Sequence, residues 1–216
     1  MADMQRRRQE MVRYQLLERD IDDPAVLEAM ARVPREEFVP EDMRDVAYAD
    51  SPLPIGSEQT ISQPYVVALM IEALELSPGD RALEIGTGSG YAAAVLAQVA
   101  DEVYTIERHK ELAEVAARRF HRLGYDNIHV RQANGTLGWP EHAPYDAIVV
   151  TAGGPRVPDP LREQLAVGGR LVIPVGPTHH AQELIRLRHT APGQFRREDL
   201  GAVRFVPLVG EAGWQA

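Results

Sequence analysis

Leu83-Glu84-Ile85-Gly86-Thr87-Gly88-Ser89-Gly90-Tyr91 is a short apolar strand that runs into a glycine-spaced loop and out into a helix. Glycines in G-x-G-x-G spacing permit positive φ and let bare backbone approach a ligand, while the helix that follows presents free N–H groups. The loop is not the G-x-x-x-x-G-K of a phosphate-binding NTPase, and no lysine follows it, so ATP chemistry is disfavoured. Its third glycine also comes one residue earlier than in the dinucleotide pattern G-x-G-x-x-G, where a pyrophosphate rests on the helix. A nucleotide-like cofactor without a pyrophosphate suits this loop better.

Downstream of the loop the pattern alternates strand and helix. Strands are predicted at Arg81 to Ile85, Val103 to Glu107, Ile128 to Gln132, Tyr145 to Val150 and Gly169 to Pro174. Apolar runs without alternation are typical of parallel strands covered on both faces. The class is therefore α/β, a doubly wound, mainly parallel sheet. Two late strands, Glu183 to His189 and Val203 to Val209, are separated only by a turn region and predict an antiparallel edge. Glu107 closes the second strand, and its two carboxylate oxygens can accept from both hydroxyls of a ribose. S-adenosylmethionine is a ribose-bearing cofactor that lacks a pyrophosphate. Glu84 is either a surface acid or a partner for the cationic methionine end of such a cofactor.

Upstream, Met11, Val12, Tyr14, Leu16 and Leu17 recur at helical spacing, and Asp23-Pro24 opens a second helix carrying Val26, Leu27 and Met30. These predict a small helical lid. Residues 47–63 hold two prolines and a glycine with little periodicity, which reads as an irregular loop of the kind that often carries function. Ser62 is placed to cap a helix from Pro64 to about Leu74. The expected organisation is one domain, with residues 1–76 as helical extension and substrate loop and residues 77–216 as the cofactor-binding core.

Composition narrows the choice of partner. A chain of 216 residues buries roughly 70% of its unfolded surface, enough for one core. Lys+Arg 23 against Asp+Glu 32 leaves a net charge of −9, which disfavours a nucleic-acid backbone as ligand. Cys 0 removes disulfides, thiolate nucleophiles and cysteine zinc sites. No apolar run approaches the ~18 residues of a membrane span, and no signal peptide is read at the start. A soluble, unprocessed, cytoplasmic monomer is expected. His179-His180 and the separate His109, His121, His129, His142 and His189 have no metal-ligand spacing and read as surface or structural. Arg6-Arg7-Arg8 reads as a solvated helix face. Ser62 has no Gly-x-Ser-x-Gly context, which argues against a serine hydrolase.

The sequence resembles the protein-L-isoaspartate O-methyltransferases. The matching segments are residues 33–40 (VPREEFVP), 47–55 (AYADSPLPI), 59–64 (QTISQP), 83–91, 138–141 (GWPE), 169–176 (GRLVIPVG) and 205–210 (FVPLVG), so the resemblance runs from about Met11 to Trp214. The glycine loop is shared with many methyltransferases, whereas Thr-Ile-Ser-Gln-Pro after Pro-Leu-Pro-Ile is particular to this family. The resemblance implies the Rossmann-like fold of S-adenosylmethionine-dependent methyltransferases. It also implies methylation of the free α-carboxylate of L-isoaspartyl residues in damaged proteins or peptides, which initiates their repair. It places Ser62 at the catalytic centre and gives cofactor contact to Gln59, Thr60, Ile61, Glu84, Gly86, Thr87, Gly88, Ser89, Gly90, Glu107, Arg108, Asn134 and Gly135. Val206, Pro207, Leu208 and Val209 would join Ser62 in offering groups to the bound peptide.

Three departures stand out. Glu58 occupies a position that is often glycine and adds negative charge beside the loop that should receive an anion. Ala133-Asn134-Gly135 stands where Gly-Asp-Gly is common, so Asn134 would accept from the adenine amino group without charge assistance. Gly153 and Gly154 replace the usual alanines, which predicts looser packing after the fourth strand. Two other readings stay open at this level: a family member redirected to the carboxylate of one peptide or partner, and a cofactor-binding module without turnover.

Overall fold

The structure of the protein, a computed structural model, describes residues 2–178 and 180–215. Helix α1 (Ala2–Glu10) continues through a π-helical stretch at Met11–Leu16, which buries Met11 and Leu16 and leaves Tyr14 and Leu17 exposed. Asp23 caps α2 (Pro24–Arg32), its carboxylate accepting from the amides of Ala25 at 2.8 Å and Val26 at 3.4 Å. The basic start departs from the solvated helix face that the sequence predicts. Arg8 is drawn inward, donating to the Tyr48 hydroxyl at 2.8 Å and pairing with Glu36 at 3.1 Å.

Residues 47–63 are more ordered than an irregular loop. Strands β1 (Leu53–Gly56) and β2 (Gln59–Ile61) pair antiparallel as a separate hairpin, whose tip residues Ser57 and Glu58 have φ of 49° and 57°. Left-handed φ at both tip residues matches the twist of a tight hairpin but favours glycine or asparagine, which Ser-Glu does not advertise. Helix α3 (Pro64–Glu72) follows. Its N-cap is Gln63, with no side-chain cap bond, so Ser62 is not the capping residue. The acceptor comes from fifteen residues upstream: Asp50 Oδ1 takes the Tyr65 amide at 3.2 Å, and Arg19 pairs with the same carboxylate at 2.5 Å.

Beyond α3, strands β3 (Arg81–Ile85), β4 (Glu102–Glu107), β5 (Ile128–Gln132), β6 (Tyr145–Val150), β7 (Leu165–Thr178), β8 (Ala181–Ala191) and β9 (Gln194–Val203) form one sheet in the order β5-β4-β3-β6-β7-β8-β9. The five strands β3 to β7 are parallel, and β8 and β9 add the antiparallel edge. Helices α4 (Tyr91–Leu96), α5 (Lys110–Leu123) and α6 (Asp159–Glu163) connect them. Alternate strand residues feed two apolar layers. Ala82, Val103, Val149 and Val172 pack with α2, α3 and α4 on one face, and Leu83, Ile106, Ile148 and Leu171 pack with Leu161 of α6 on the other. Both faces are covered, which is why these strands read as unbroken apolar runs. Among the described residues no helix is long and apolar enough to cross a membrane.

The last predicted strand is displaced. The edge strand is β9, and residues 204–209 lie outside the sheet ladder as a strap that crosses back over the ends of β6 and β7. An edge strand carrying Arg196, Arg197, Glu198 and Asp199 has the charge that discourages edge pairing, so it does not read as a strand. The apolar 203–209 run does, although Pro207 has no N–H for a ladder.

Candidate active site

Strand order diverges at β3, with β4 on one side and β6 on the other, and the crevice at the C-terminal ends of such strands is where α/β sheets bind ligands. The glycine loop leaves β3 there. Gly86 donates its N–H to Ile106 O at 2.8 Å, and Thr151 Oγ1 donates to Gly86 O at 2.7 Å, so the loop is pinned between β4 and β6. Gly86, Gly88 and Gly90 all have positive φ. Gly90 is required for space as well: a Cβ there would stand 2.6 Å from the ring of Phe120 on α5.

Glu107 ends β4 almost fully buried, beneath the loop. Its Oε2 accepts from Gly88 N and its Oε1 from His109 N, each at 2.9 Å. A carboxylate oxygen can accept more than one hydrogen bond, so both retain capacity for a ligand's hydroxyls. Glu84 is 0% exposed. Thr105 Oγ1 donates to Glu84 Oε2 at 2.5 Å and lies 2.6 Å from Thr87 Oγ1. Because Thr105 spends its single proton on Glu84, Thr87 donates to Thr105, and the three form one polar line beneath the loop. Among the described residues Glu84 Oε1 makes no well-formed hydrogen bond, and the Ala93 backbone is only a weak donor to the carboxyl. Burial pushes the Glu84 carboxyl up to about 8, Thr105 working against it and the charge of Glu107 adding to it. A buried acceptor without a well-placed donor is costly, and an ammonium on a ligand in this pocket would satisfy it. These residues fit S-adenosylmethionine, with the amino group of its methionine end at Glu84 and the ribose at its centre at Glu107.

The opposite wall comes from the hairpin and α3. Gln59, Thr60, Ile61 and Ser62 line the pocket, and the Ser62 hydroxyl has no hydrogen-bond partner among the described residues. Its backbone is held instead. Arg35, 0% exposed, donates from Nη2 to Ser62 O at 2.8 Å and from Nε to Ala47 O at 2.6 Å, and its guanidinium lies 4.7 Å over the ring of Tyr91. Burial pushes the pKa of this guanidinium down. The strap closes the pocket with Val206, Pro207, Leu208 and Val209.

The pocket thus brings together Ser62, the four strap residues and most of the cofactor set, with Arg108 and Gly135 also in its wall. Gly90 and Asn134 lie outside the lining. Gly90 supports the loop from behind, whereas Asn134 Oδ1 accepts from Thr136 N at 3.0 Å and Thr136 Oγ1 at 2.8 Å, capping the short turn at Gly135–Leu137. Nor is the packing loose at Gly153 and Gly154. Both are buried, and the space a Cβ would need at Gly153 is filled by the carboxamide of Gln182.

Sequence reasoning missed Thr105, Thr151, His109, Arg35 and Gln182. A threonine inside the apolar run of β4 was the readable signal for the first, and an arginine between the prolines of 33–40 for the fourth. His109 lines the pocket rather than the surface. His129 and His142 stack on the two sides of Tyr104, with ring centroids 4.8 and 4.2 Å away. Among the described residues no three His, Cys, Asp or Glu side chains gather as a metal site, and His179 lies outside those residues.

Comparison with known proteins agrees along nearly the whole chain. The profile of the family described as protein-L-isoaspartate(D-aspartate) O-methyltransferase matches residues 6–213. A Pelobacter propionicus protein named protein-L-isoaspartate O-methyltransferase 2 is 62% identical over 208 residues, 96% of this chain and 92% of its own. One from Geotalea uraniireducens, named protein-L-isoaspartate O-methyltransferase 1, is 61% identical over 96% of this chain and 95% of its own. Among solved structures, a protein-L-isoaspartate O-methyltransferase superposes with a TM-score of 0.85 at 32% identity, over 95% of this chain and 67% of that one. A Plasmodium falciparum structure assigned to the same activity, in complex with S-adenosyl-L-homocysteine, superposes with a TM-score of 0.78 at 28% identity, over 92% and 96% of the two chains.

Proposed function

The chain belongs to the protein-L-isoaspartate(D-aspartate) O-methyltransferase family, and from that premise we infer that it methylates the free α-carboxylate of L-isoaspartyl residues in damaged proteins and peptides, using S-adenosylmethionine. Bound in the pocket, that cofactor supplies an electrophilic methyl group on a sulfonium. Glu107 would hold the ribose and Glu84 the ammonium, with the Gly86–Ser89 backbone against the ligand. The acceptor carboxylate, with a pKa of about 4, is ionised at neutral pH, so no side chain has to remove a proton from it. What remains for the protein is positioning and the exclusion of water. The Ser62 hydroxyl donates to one carboxylate oxygen and turns the other toward the transferred group. The hairpin and the strap cover the acceptor side.

The observation that carries this reading is the unpartnered Ser62 hydroxyl, in a pocket that the glycine loop and the strap also line. We further propose one functional unit, residues 1–76 supplying lid and substrate loop to the core of residues 77–216. We take its substrate to be protein or peptide rather than nucleic acid, in keeping with the net charge of −9.

Methyl transfer to three versions of one peptide tests the function. The isoaspartyl version should be methylated and the aspartyl and acid-free versions should not, because a site built around a carboxylate directly on Cα leaves its donors unpaired when that anion is displaced by a methylene. Equal methylation of the isoaspartyl and aspartyl peptides would sink the assignment. Ser62→Ala should lower turnover and leave cofactor affinity nearly unchanged. At saturating cofactor, turnover should persist as pH falls toward ~5, where a histidine base would already be protonated.

A further inference from the structure

The strap that lines the acceptor side belongs to no sheet ladder, so something else must set its position. Its backbone is gripped by Gly153 and by Gln182, and Trp214 donates its backbone N–H to Leu208 O at 2.8 Å. Gly153, just past the end of β6, donates its N–H to Val206 O at 2.8 Å. Its carbonyl accepts from Leu208 N at 2.8 Å and from the Trp214 indole N–H at 2.9 Å. One residue earlier in the strap, the buried side chain of Gln182 on β8 takes both backbone groups of Phe205. Phe205 N donates to Gln182 Oε1 at 2.8 Å, and Gln182 Nε2 donates to Phe205 O at 3.2 Å. The two grips are one device, because a Cβ on Gly153 would stand 2.3 Å from Gln182 Nε2 and 2.4 Å from its Cδ. The φ of Gly153 is not in the left-handed region, so glycine serves there only to admit the carboxamide.

Neither Gly153 nor Gln182 lines the pocket, whereas Val206 to Val209, which they hold, do. We propose that the Gly153–Gln182 pair is a positioning device for the methyl acceptor: the carboxamide seated against the glycine fixes the strap, and the strap fixes where the isoaspartyl peptide lies relative to Ser62. Among the described residues, the cofactor end of the pocket, built on Glu84, Glu107 and the glycine loop, is held by groups other than these two. The antiparallel edge of the sheet thereby acquires a role in peptide recognition, since β8 carries Gln182. This inference rests on the proposed methylation of isoaspartyl peptides.

The test uses the full chain and the variants Gln182→Met, Gln182→Glu, Gln182→Ala, Gly153→Ala and the double variant Gln182→Ala with Gly153→Ala. Steady-state methyl transfer to the isoaspartyl peptide, calorimetric titration with S-adenosylmethionine, and amide hydrogen exchange over residues 205–209 are measured on each. Gln182→Met keeps the length of the side chain and removes both bonds to Phe205. It should lower kcat/KM for the peptide by about tenfold or more, with kcat itself falling, because ångström-scale misplacement of an acceptor costs rate of that order. Cofactor Kd should stay within about twofold, and exchange should accelerate in the strap alone. Gln182→Glu sets a buried carboxylate oxygen against the Phe205 carbonyl and should be at least as severe as Gln182→Met. Gly153→Ala should reproduce the methionine variant in the native background and add almost nothing to Gln182→Ala, where the carboxamide it would displace is gone. An unchanged kcat/KM for the peptide in a folded variant, a cofactor Kd that rises in step with its loss, or full additivity of the two substitutions would overturn the proposal. If the native protein does not methylate the isoaspartyl peptide, the functional reading fails. The exchange data still decide the lock: a strap unchanged in Gln182→Met refutes it, and a strap selectively loosened upholds it.

Discussion

Glu84 carries the sharpest consequence at the scale of a single residue. Its carboxyl is buried, titrates at about 8, and keeps one oxygen without a well-formed hydrogen bond, so at neutral pH it is mostly protonated in the ligand-free protein. An ammonium placed beside it favours the charged form, and binding therefore releases a proton. The sign follows: below about 8 the proton competes with the ligand, so cofactor affinity should rise with pH by up to about tenfold per unit and level off above 8. Calorimetry in buffers of different ionisation enthalpy would count the proton. Glu84→Gln should bind more weakly and lose the pH slope; a slope that survives the substitution would assign the titration to another group.

The hairpin makes the case at the scale of an element. Glu58 sits at its tip with φ of 57°, a conformation that costs a residue with a Cβ roughly 1 kcal/mol. Glu58→Gly relieves that cost, partly offset by the greater freedom of glycine in the unfolded chain. The expected gain is about 0.5 kcal/mol in a denaturant melt, together with a lower peptide KM, since an exposed negative charge leaves the loop that receives an anionic acceptor. A destabilised variant would show that the tip is held by contacts that compensate the backbone.

At the scale of the whole molecule, the antiparallel edge is fastened to the core by charge. Glu75, in the turn after α3, pairs with Arg186 at 2.9 Å and Arg170 at 3.5 Å and also bonds Arg188, while Glu198 on β9 accepts from Arg188 at 3.2 Å and from Arg196 at 3.0 Å and also pairs with Arg186. Desolvation pushes the Glu198 carboxyl up, but the guanidinium groups outweigh it and hold the carboxyl at about 2. A depressed folded-state pKa stabilises above the unfolded value of about 4.5, and that stabilisation is lost as pH falls toward 2. Glu198→Gln should therefore lower Tm at pH 7 and do so progressively less as pH falls from about 4.5 through 2. Because β8 in this edge carries Gln182, the same loosening should reach the strap, which amide exchange across that pH range would detect.

Residues near in sequence carried most of what could be read without a structure. The sequence by itself determined the parallel strands, the glycine loop and Glu107 at the end of β4, because apolar runs, φ-permissive glycines and a strand-end acid express local rules of burial and backbone geometry. It determined the antiparallel edge as well, but misplaced its last strand by about a turn of sequence. Only the tertiary structure decided that Asp50 rather than Ser62 caps α3, which leaves the serine hydroxyl free for the pocket. The same holds for the hairpin around Ser57-Glu58, for the turn of Asn134 away from the lining, and for the filling of Gly153 by Gln182. Each of these depends on a partner brought from a distant part of the chain, and a hydrogen bond or a filled space between such partners leaves no period, spacing or composition along the sequence to be read.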